Sequence, residues 1–245
     1  MTLDATNTYT GNTTISGGTL FLAGGVALAS SNLVIAGGST LDVTGLTTPP
    51  LALAAGQAIS NSTPAALING SVDTTSGALG LVYAGSPALN VGNGTLTVAA
   101  TTAVNVNNTG SPLAVGSYLL VSTNGGGAVS GTAPGSVTVS GNGLAVGNVA
   151  SLRITNSKLN LMVAVNPVNT NPTNITAVVS GTNLSLSWPA DHTGWRLLVQ
   201  TNHLPAGISL NTNDWSTVAG SAGTNKVSIL IDTNKPTEFY RMVYP

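Results

Sequence analysis

Residues able to do chemistry are sparse and scattered along this chain. Asp4, Asp42 and Asp73 are the acids of residues 1–152, a stretch that holds no Lys, Arg or Glu. Polysaccharide cleavage needs acids clustered on one face, or bases assisted by Ca²⁺. Asp42 and Asp73 would meet only across neighbouring coils of the chain, where strands stack about 4.8 Å apart. No basic residue stands by to tune either pKa, so each reads as an isolated solvated or capping acid. Farther on, Asp191-His192 and His203 invite a Ser-His-Asp reading, but Ser is abundant everywhere and no Gly-x-Ser-x-Gly elbow is present. Zinc needs three or four convergent ligands, and two loop His fall short. Both His are therefore expected on surface loops. Trp188, Trp195 and Trp215 are rings on which a sugar can stack. Alternation with Leu assigns Trp188 and Trp195 to a core and leaves Trp215 as the candidate ligand-contacting ring. Gly125-Gly126-Gly127 lacks the Lys and the helix that follow a phosphate loop, and reads as a turn. No catalytic residue, cofactor-binding residue or metal ligand is assigned, and no cofactor is expected.

Composition narrows the field further. Only 5% of the 245 residues are charged, against roughly 25% in ordinary soluble domains. The acidic, base-free stretch 1–152 excludes a nucleic-acid partner for that part, because phosphate needs a basic patch. There is no Cys, hence no disulfide framework and no thiolate metal site. No apolar run reaches the roughly 18 residues of a membrane-spanning helix. Met1-Thr2-Leu3-Asp4 lacks the basic and apolar segments of a signal peptide, and the chain opens almost directly inside a repeat, as a processed product or a fragment would. Gly, Ala, Ser, Thr and Asn dominate, yet Leu, Val and Ile recur in register, which separates the chain from disordered low-complexity sequence.

The elements that must position these residues are set out by one recurring phrase. Ile15-Ser16-Gly17-Gly18-Thr19-Leu20-Phe21-Leu22, Val91-Gly92-Asn93-Gly94-Thr95-Leu96-Thr97-Val98 and Ile154-Thr155-Asn156-Ser157-Lys158-Leu159-Asn160-Leu161 share it. A near copy, residues 35–43, carries one extra residue in the turn. Two short strands joined by a small-residue corner, repeated at the 20 to 30 residues typical of a repeat unit, predict the wall of a β-solenoid. One coil cannot bury its own apolar face, but stacked coils can. Leu20, Leu41, Leu96 and Leu159 are expected inside. Leu51 to Ala58, rich in Ala and Leu, is a candidate helical piece or an irregular rung. Asn166 to Pro172 reads as an extended, unpaired linker. Beyond it about six alternating segments, with all three Trp and both His, predict a small β-sandwich. The expected organisation is a solenoid over 1–165, a linker over 166–172 and a sandwich over 173–245. Sequons at Asn12, Asn61, Asn93, Asn174 and Asn183 are what an Asn- and Thr-rich chain produces by chance.

Thr8-Tyr9-Thr10-Gly11-Asn12-Thr13-Thr14-Ile15, followed by Gly18-Thr19-Leu20, resembles the autotransporter-associated β-strand repeat of bacterial surface proteins, as does Gly38-Ser39-Thr40-Leu41-Asp42. The resemblance is strongest over residues 8–45 and extends loosely to about 165. Leu184-Ser185-Leu186-Ser187-Trp188-Pro189-Ala190, Gly194-Trp195-Arg196-Leu197 and Phe239-Tyr240-Arg241 resemble the fibronectin type III-like, immunoglobulin-like module that ends many such proteins. The resemblance implies an all-β protein, a parallel β-helix-like solenoid followed by that module, secreted or displayed on the cell surface. The repeat carries no catalytic residues. No membrane β-barrel follows, and the array is short for its kind.

The function expected on these grounds is non-enzymatic: an extracellular structural protein that pairs with itself through open sheet edges to form a filament. An adhesin that binds cell-surface glycans through the solenoid face or Trp215 is the alternative, and a polysaccharide-cleaving enzyme using Asp42 and Asp73 comes third.

Overall fold

A computed structural model describes residues 1–244, which form two compact units, Met1–Val165 and one beginning at Asn166. The protein is strand-rich, and among the described residues helix is confined to four single turns of 3-10 geometry in the second unit. The 42% of hydrophobic residues alternate with Thr, Ser and Asn along short runs, which suits period-two strands and not 3.6-period helices.

Three sheets make up the first unit. The eight-stranded sheet holds, in spatial order, Thr2–Leu3, Thr19–Gly24, Thr40–Leu46, Ala66–Asn69, Leu89–Val91, Gly116–Thr123, Lys158–Val165 and Asn148–Thr155. The six-stranded sheet runs Thr13–Ile15, Asn32–Ile35, Ala58–Asn61, Ala78–Tyr83, Ala103–Asn108, Thr138–Gly141, and the four-stranded sheet Leu51–Ala52, Val72–Asp73, Thr95–Val98, Ala128–Gly131. Before Leu51 the chain alternates between the six- and eight-stranded sheets; from Leu51 it visits four-, six- and eight-stranded sheets in rotation. Pairing is parallel until the last two strands of the eight-stranded sheet.

Register keeps the apolar positions stacked. Leu20 pairs with Leu41, Leu41 with Ile68 and Ile68 with Val91. Leu33, Ile59, Leu79 and Val104 form a second column, and Leu51, Val72, Leu96 and Val129 a third. All are buried and join one cluster that reaches from Ile15 to Val163. Each fully buried aliphatic side chain contributes about 1.5–3 kcal/mol. Small residues are required where one coil lies on the next. An added Cβ at Gly127 would collide with the carbonyl oxygen of Val91, and one at Gly131 (φ 99°) with that of Val98, so the Gly125–Gly127 run is a corner packed on the preceding coil.

One expectation about this unit is decided and one corrected. Of the two readings of Leu51 to Ala58 the helical one is not observed: a strand at Leu51–Ala52 and a turn precede the strand Ala58–Asn61. Gln57 decides this, because its side-chain amide donates to Leu28 O (2.8 Å) and Ser30 O (3.0 Å) on the preceding coil and its Oε1 accepts from Ala54 N. The phrase at 154–161 is not a corner between parallel strands. Asn156 and Ser157 take left-handed φ of 51° and 57° and close an antiparallel hairpin of Asn148–Thr155 on Lys158–Val165, the conformation of a two-residue hairpin loop. The phrase at 91–98 turns from the eight-stranded to the four-stranded sheet, whereas those at 15–22 and 35–43 turn from the six-stranded to the eight-stranded one.

In the second unit two three-stranded antiparallel sheets are present. One orders Thr176–Ser180, Asn183–Ser187 and Lys226–Leu230; the other orders Ser216–Thr217, Arg196–Asn202 and Thr237–Val243. Leu186, Trp188 and Leu197 form its core, backed by Leu184, Val227, Ile229 and Met242.

Candidate functional site

Asp42 and Asp73 each cap the backbone two residues on. Asp42 and Asp73 lie in different sheets and do not come together. Asp42 Oδ1 accepts from Thr44 N (3.0 Å) and Thr44 Oγ1 (2.7 Å), and its Oδ2 accepts from Asn69 Nδ2 (2.9 Å). Burial pushes the Asp42 carboxyl up, but the donors from Thr44 and Asn69 outweigh it and hold it below its ordinary value. Asn93 Nδ2 donates in turn to Asn69 Oδ1 at 2.9 Å, continuing a side-chain ladder from coil to coil. Asp73 Oδ1 accepts from Thr75 N at 2.8 Å and closes a turn. Asn61, the acceptor of one sequon, is buried with its amide engaged to Thr63 O, Val82 O and Val82 N, which leaves it inaccessible to modification.

The cluster in the second unit differs from the sequence expectation at four points. His192 is not on the surface: it is 3% exposed, while His203 is exposed. Its Nδ1 lies 2.7 Å from Asp191 Oδ1 and its Nε2 2.7 Å from Asn171 O. Both partners only accept, so the doubly protonated ring satisfies both. The Asn171 carbonyl first, and the Asp191 carboxylate second, push the His192 pKa up. Asn169, followed by His192, holds the Asp191 carboxyl down. The segment after Val165 is therefore not a free linker. Asn169 N donates to Asp191 O (2.7 Å), Asn169 Nδ2 to Asp191 Oδ2 (3.0 Å), and Trp195 Nε1 to Asn169 O (2.8 Å). Trp195 is buried against this segment and His192, 5.2 Å away, and lies outside the Leu186–Trp188–Leu197 cluster. Trp215 is buried too: Arg241 stacks on its ring at 4.1 Å and its Nε1 donates to Ser209 O. It offers no open ring to a ligand. With both nitrogens of His192 occupied and no third acidic or His ligand converging among the described residues, the cluster has the geometry of a tether.

What the first unit does leave open is sheet edge. Thr2–Leu3, Thr13–Ile15 and Leu51–Ala52 are each outermost on the same side of their sheet, Leu51–Ala52 next to the irregular segment 26–30 that precedes it in the chain. The N–H groups of Leu51 and Leu53 donate to Ser71 O (2.9 Å) and Asp73 O (2.8 Å). Peptide groups alternate in direction along a parallel strand, so the N–H and C=O of the exposed Ala52 face the side where no strand lies among the described residues. Beside this edge is a recess of about 330 Å³ lined by Val26, Leu28, Leu33, Leu46 and Leu53. The sequence hinted at this edge through Pro49-Pro50, which interrupts the ladder just before it.

No protein-family model, no curated protein and no solved structure matches this chain.

Proposed function

We propose that this protein is a non-enzymatic extracellular structural protein whose copies join through open sheet edges into a surface filament. On this reading the first unit is a β-solenoid of the autotransporter-associated repeat type, and the second a fibronectin type III-like module that anchors or decorates the fibre. The observation that carries the proposal is the edge at Leu51–Ala52, with its outward-facing peptide group beside a recess lined by both aliphatic side chains and Ser30, Thr48 and Gln57. Edges of soluble monomers normally carry Lys, Glu or Pro against pairing; residues 1–152 hold no Lys or Glu, and Pro49-Pro50 stop short of Leu51–Ala52 and leave its own N–H groups in place. A formal net charge of −1 adds little repulsion between copies. A head-to-tail contact that does not close on itself yields a fibre. The polar side chains described above support a structural role, since Asp42, Asn69, Asn93 and His192 are consumed in holding the fold.

Sedimentation velocity of the full chain at micromolar concentration, with electron microscopy of the same sample, tests this. Species that grow with concentration and fibres on the grid are expected. A single monomeric species without fibres overturns the proposal.

A further inference from the structure

Residues 1–165 contain two basic side chains, Arg153 and Lys158. They stand on the adjoining strands of the final hairpin, where Arg153 is opposite Asn160 and Lys158 opposite Thr155. Leu152, Leu159 and Leu161 are buried on the inner face, so by alternation Arg153, Lys158 and Asn160 point outward. The two cations are diagonal neighbours, a spacing of about 7–8 Å. They rim one shallow depression of about 310 Å³, with Ser117 and Asn160 as further polar lining and Leu119 and Met162 as apolar lining. Among the described residues neither cation forms an ion pair. The three acids of the unit lie on earlier coils, at 4, 42 and 73.

From this juxtaposition we propose that the outer face of the terminal hairpin binds an acidic carbohydrate, a polysaccharide whose sugars carry carboxylate or sulfate groups. A guanidinium presents a planar fork that matches either anion bidentately, and an ammonium adds a mobile point charge. The hydroxyl of Ser117 and the amide of Asn160 suit sugar hydroxyls, and Leu119 and Met162 suit the C–H face of a ring. The depression is at the small end of ligand pockets, enough for one sugar unit, and a polymer offers that unit many times along its length. Two cations are too few for a nucleic acid, whose binding rests on many phosphate contacts. The site is independent of the filament proposal, because it occupies a sheet face and not the edge at Ala52.

The test uses the full chain at concentrations below any self-association. Affinity electrophoresis through gels carrying polygalacturonate, dextran sulfate or neutral dextran reads the binding. Retardation by one or both acidic polymers, absent with neutral dextran and weakened by salt, is expected; which polymer retards identifies the anion. Arg153→Gln and Lys158→Gln are each expected to weaken binding about five- to tenfold, and the double variant to abolish it. Lys226→Gln, in the second unit, is the charge-matched control and should bind as the parent does. Unchanged circular-dichroism melts establish that these substitutions, at the exposed Arg153 and Lys226 and the half-buried Lys158, leave the fold intact. No retardation by either acidic polymer overturns the proposal, as does equal retardation by neutral dextran or undiminished binding by the double variant. Loss of self-association in the double variant without any polymer binding would also overturn it, and would assign the pair to a contact between copies.

Discussion

His192 carries a consequence that can be titrated. Its folded pKa is raised, first by the Asn171 carbonyl and then by Asp191, above an ordinary value of about 6.5. The stability it contributes is therefore complete below that ordinary value and is lost as pH rises through the folded pKa. Asp191 is lowered, so its contribution holds above the ordinary carboxylate value of about 3.9 and fades as pH falls through the folded one. Between about pH 4 and 6.5 both are present. All three Trp lie in the second unit, so Trp fluorescence during heating reports on that unit. Its midpoint should be highest in this window and decline toward pH 9, and His192→Gln should lower the acidic plateau and flatten the decline. Identical midpoints for parent and variant at pH 5.5 and 9 would show that the tether contributes nothing. None of this was legible in the sequence. The partners of His192 and Trp215 come from residues 169–171, 209 and 241, and alternation reports only which side of a strand a residue occupies. By contrast, the capping by Asp42 and Asp73 is one of the two roles, solvated or capping, that their isolation in the sequence allows.

Stacked apolar columns make the strand the unit of stability. Leu96 is fully buried between Val72 and Val129. Leu96→Ala should cost about 2–5 kcal/mol, because stacked coils on either side limit collapse of the cavity. Urea denaturation followed by circular dichroism measures it, and an unchanged midpoint would refute the register. The hairpin at 156–157 offers the opposite sign. Ser157 holds φ 57°, a conformation that costs an L-residue about 1–2 kcal/mol and glycine nothing. Ser157→Gly should stabilise by up to about 1 kcal/mol after the entropy glycine forfeits, again read as a urea midpoint; a lower midpoint would argue against the left-handed turn. These two residues mark where reading from sequence succeeded and failed. The burial of Leu96 is legible because period-two alternation fixes the face of a strand. The hairpin at 154–161 is invisible to alternation, which is the same for parallel and antiparallel neighbours; direction depends on the φ of Asn156 and Ser157, which residue spacing does not encode. The strand at Leu51–Ala52 was obscured by helix-favouring Ala and Leu, and Gln57, reaching across a coil, overrides that preference.

At the scale of the whole chain, the outcome depends on what meets the unpaired end of the stack. Thr2–Leu3, Thr13–Ile15 and Leu51–Ala52 are outermost on the same side of their three sheets, and none carries the Lys or Glu that blunts an edge. Of these, Leu51–Ala52 provides the sharpest test. Leu51 and Leu53 supply the inward hydrogen bonds, so a change at Ala52 spares the existing ladder. Ala52→Pro removes the outward N–H, which edge strands tolerate, and Ala52→Lys adds a charge that an incoming strand would have to desolvate. Ala52 is exposed, and substitutions at such positions usually shift stability by no more than about 0.5 kcal/mol. Both variants should therefore melt with the parent yet sediment as monomers. Asn105→Lys, on the outer face of an interior strand of the six-stranded sheet, introduces the same charge away from any edge and should assemble normally. If Ala52→Pro and Ala52→Lys still form fibres, the copies meet elsewhere and this edge is not the junction. If Asn105→Lys also fails to assemble, charge alone governs association. Only loss confined to the Ala52 variants, with melting unchanged, places the junction at the four-stranded sheet.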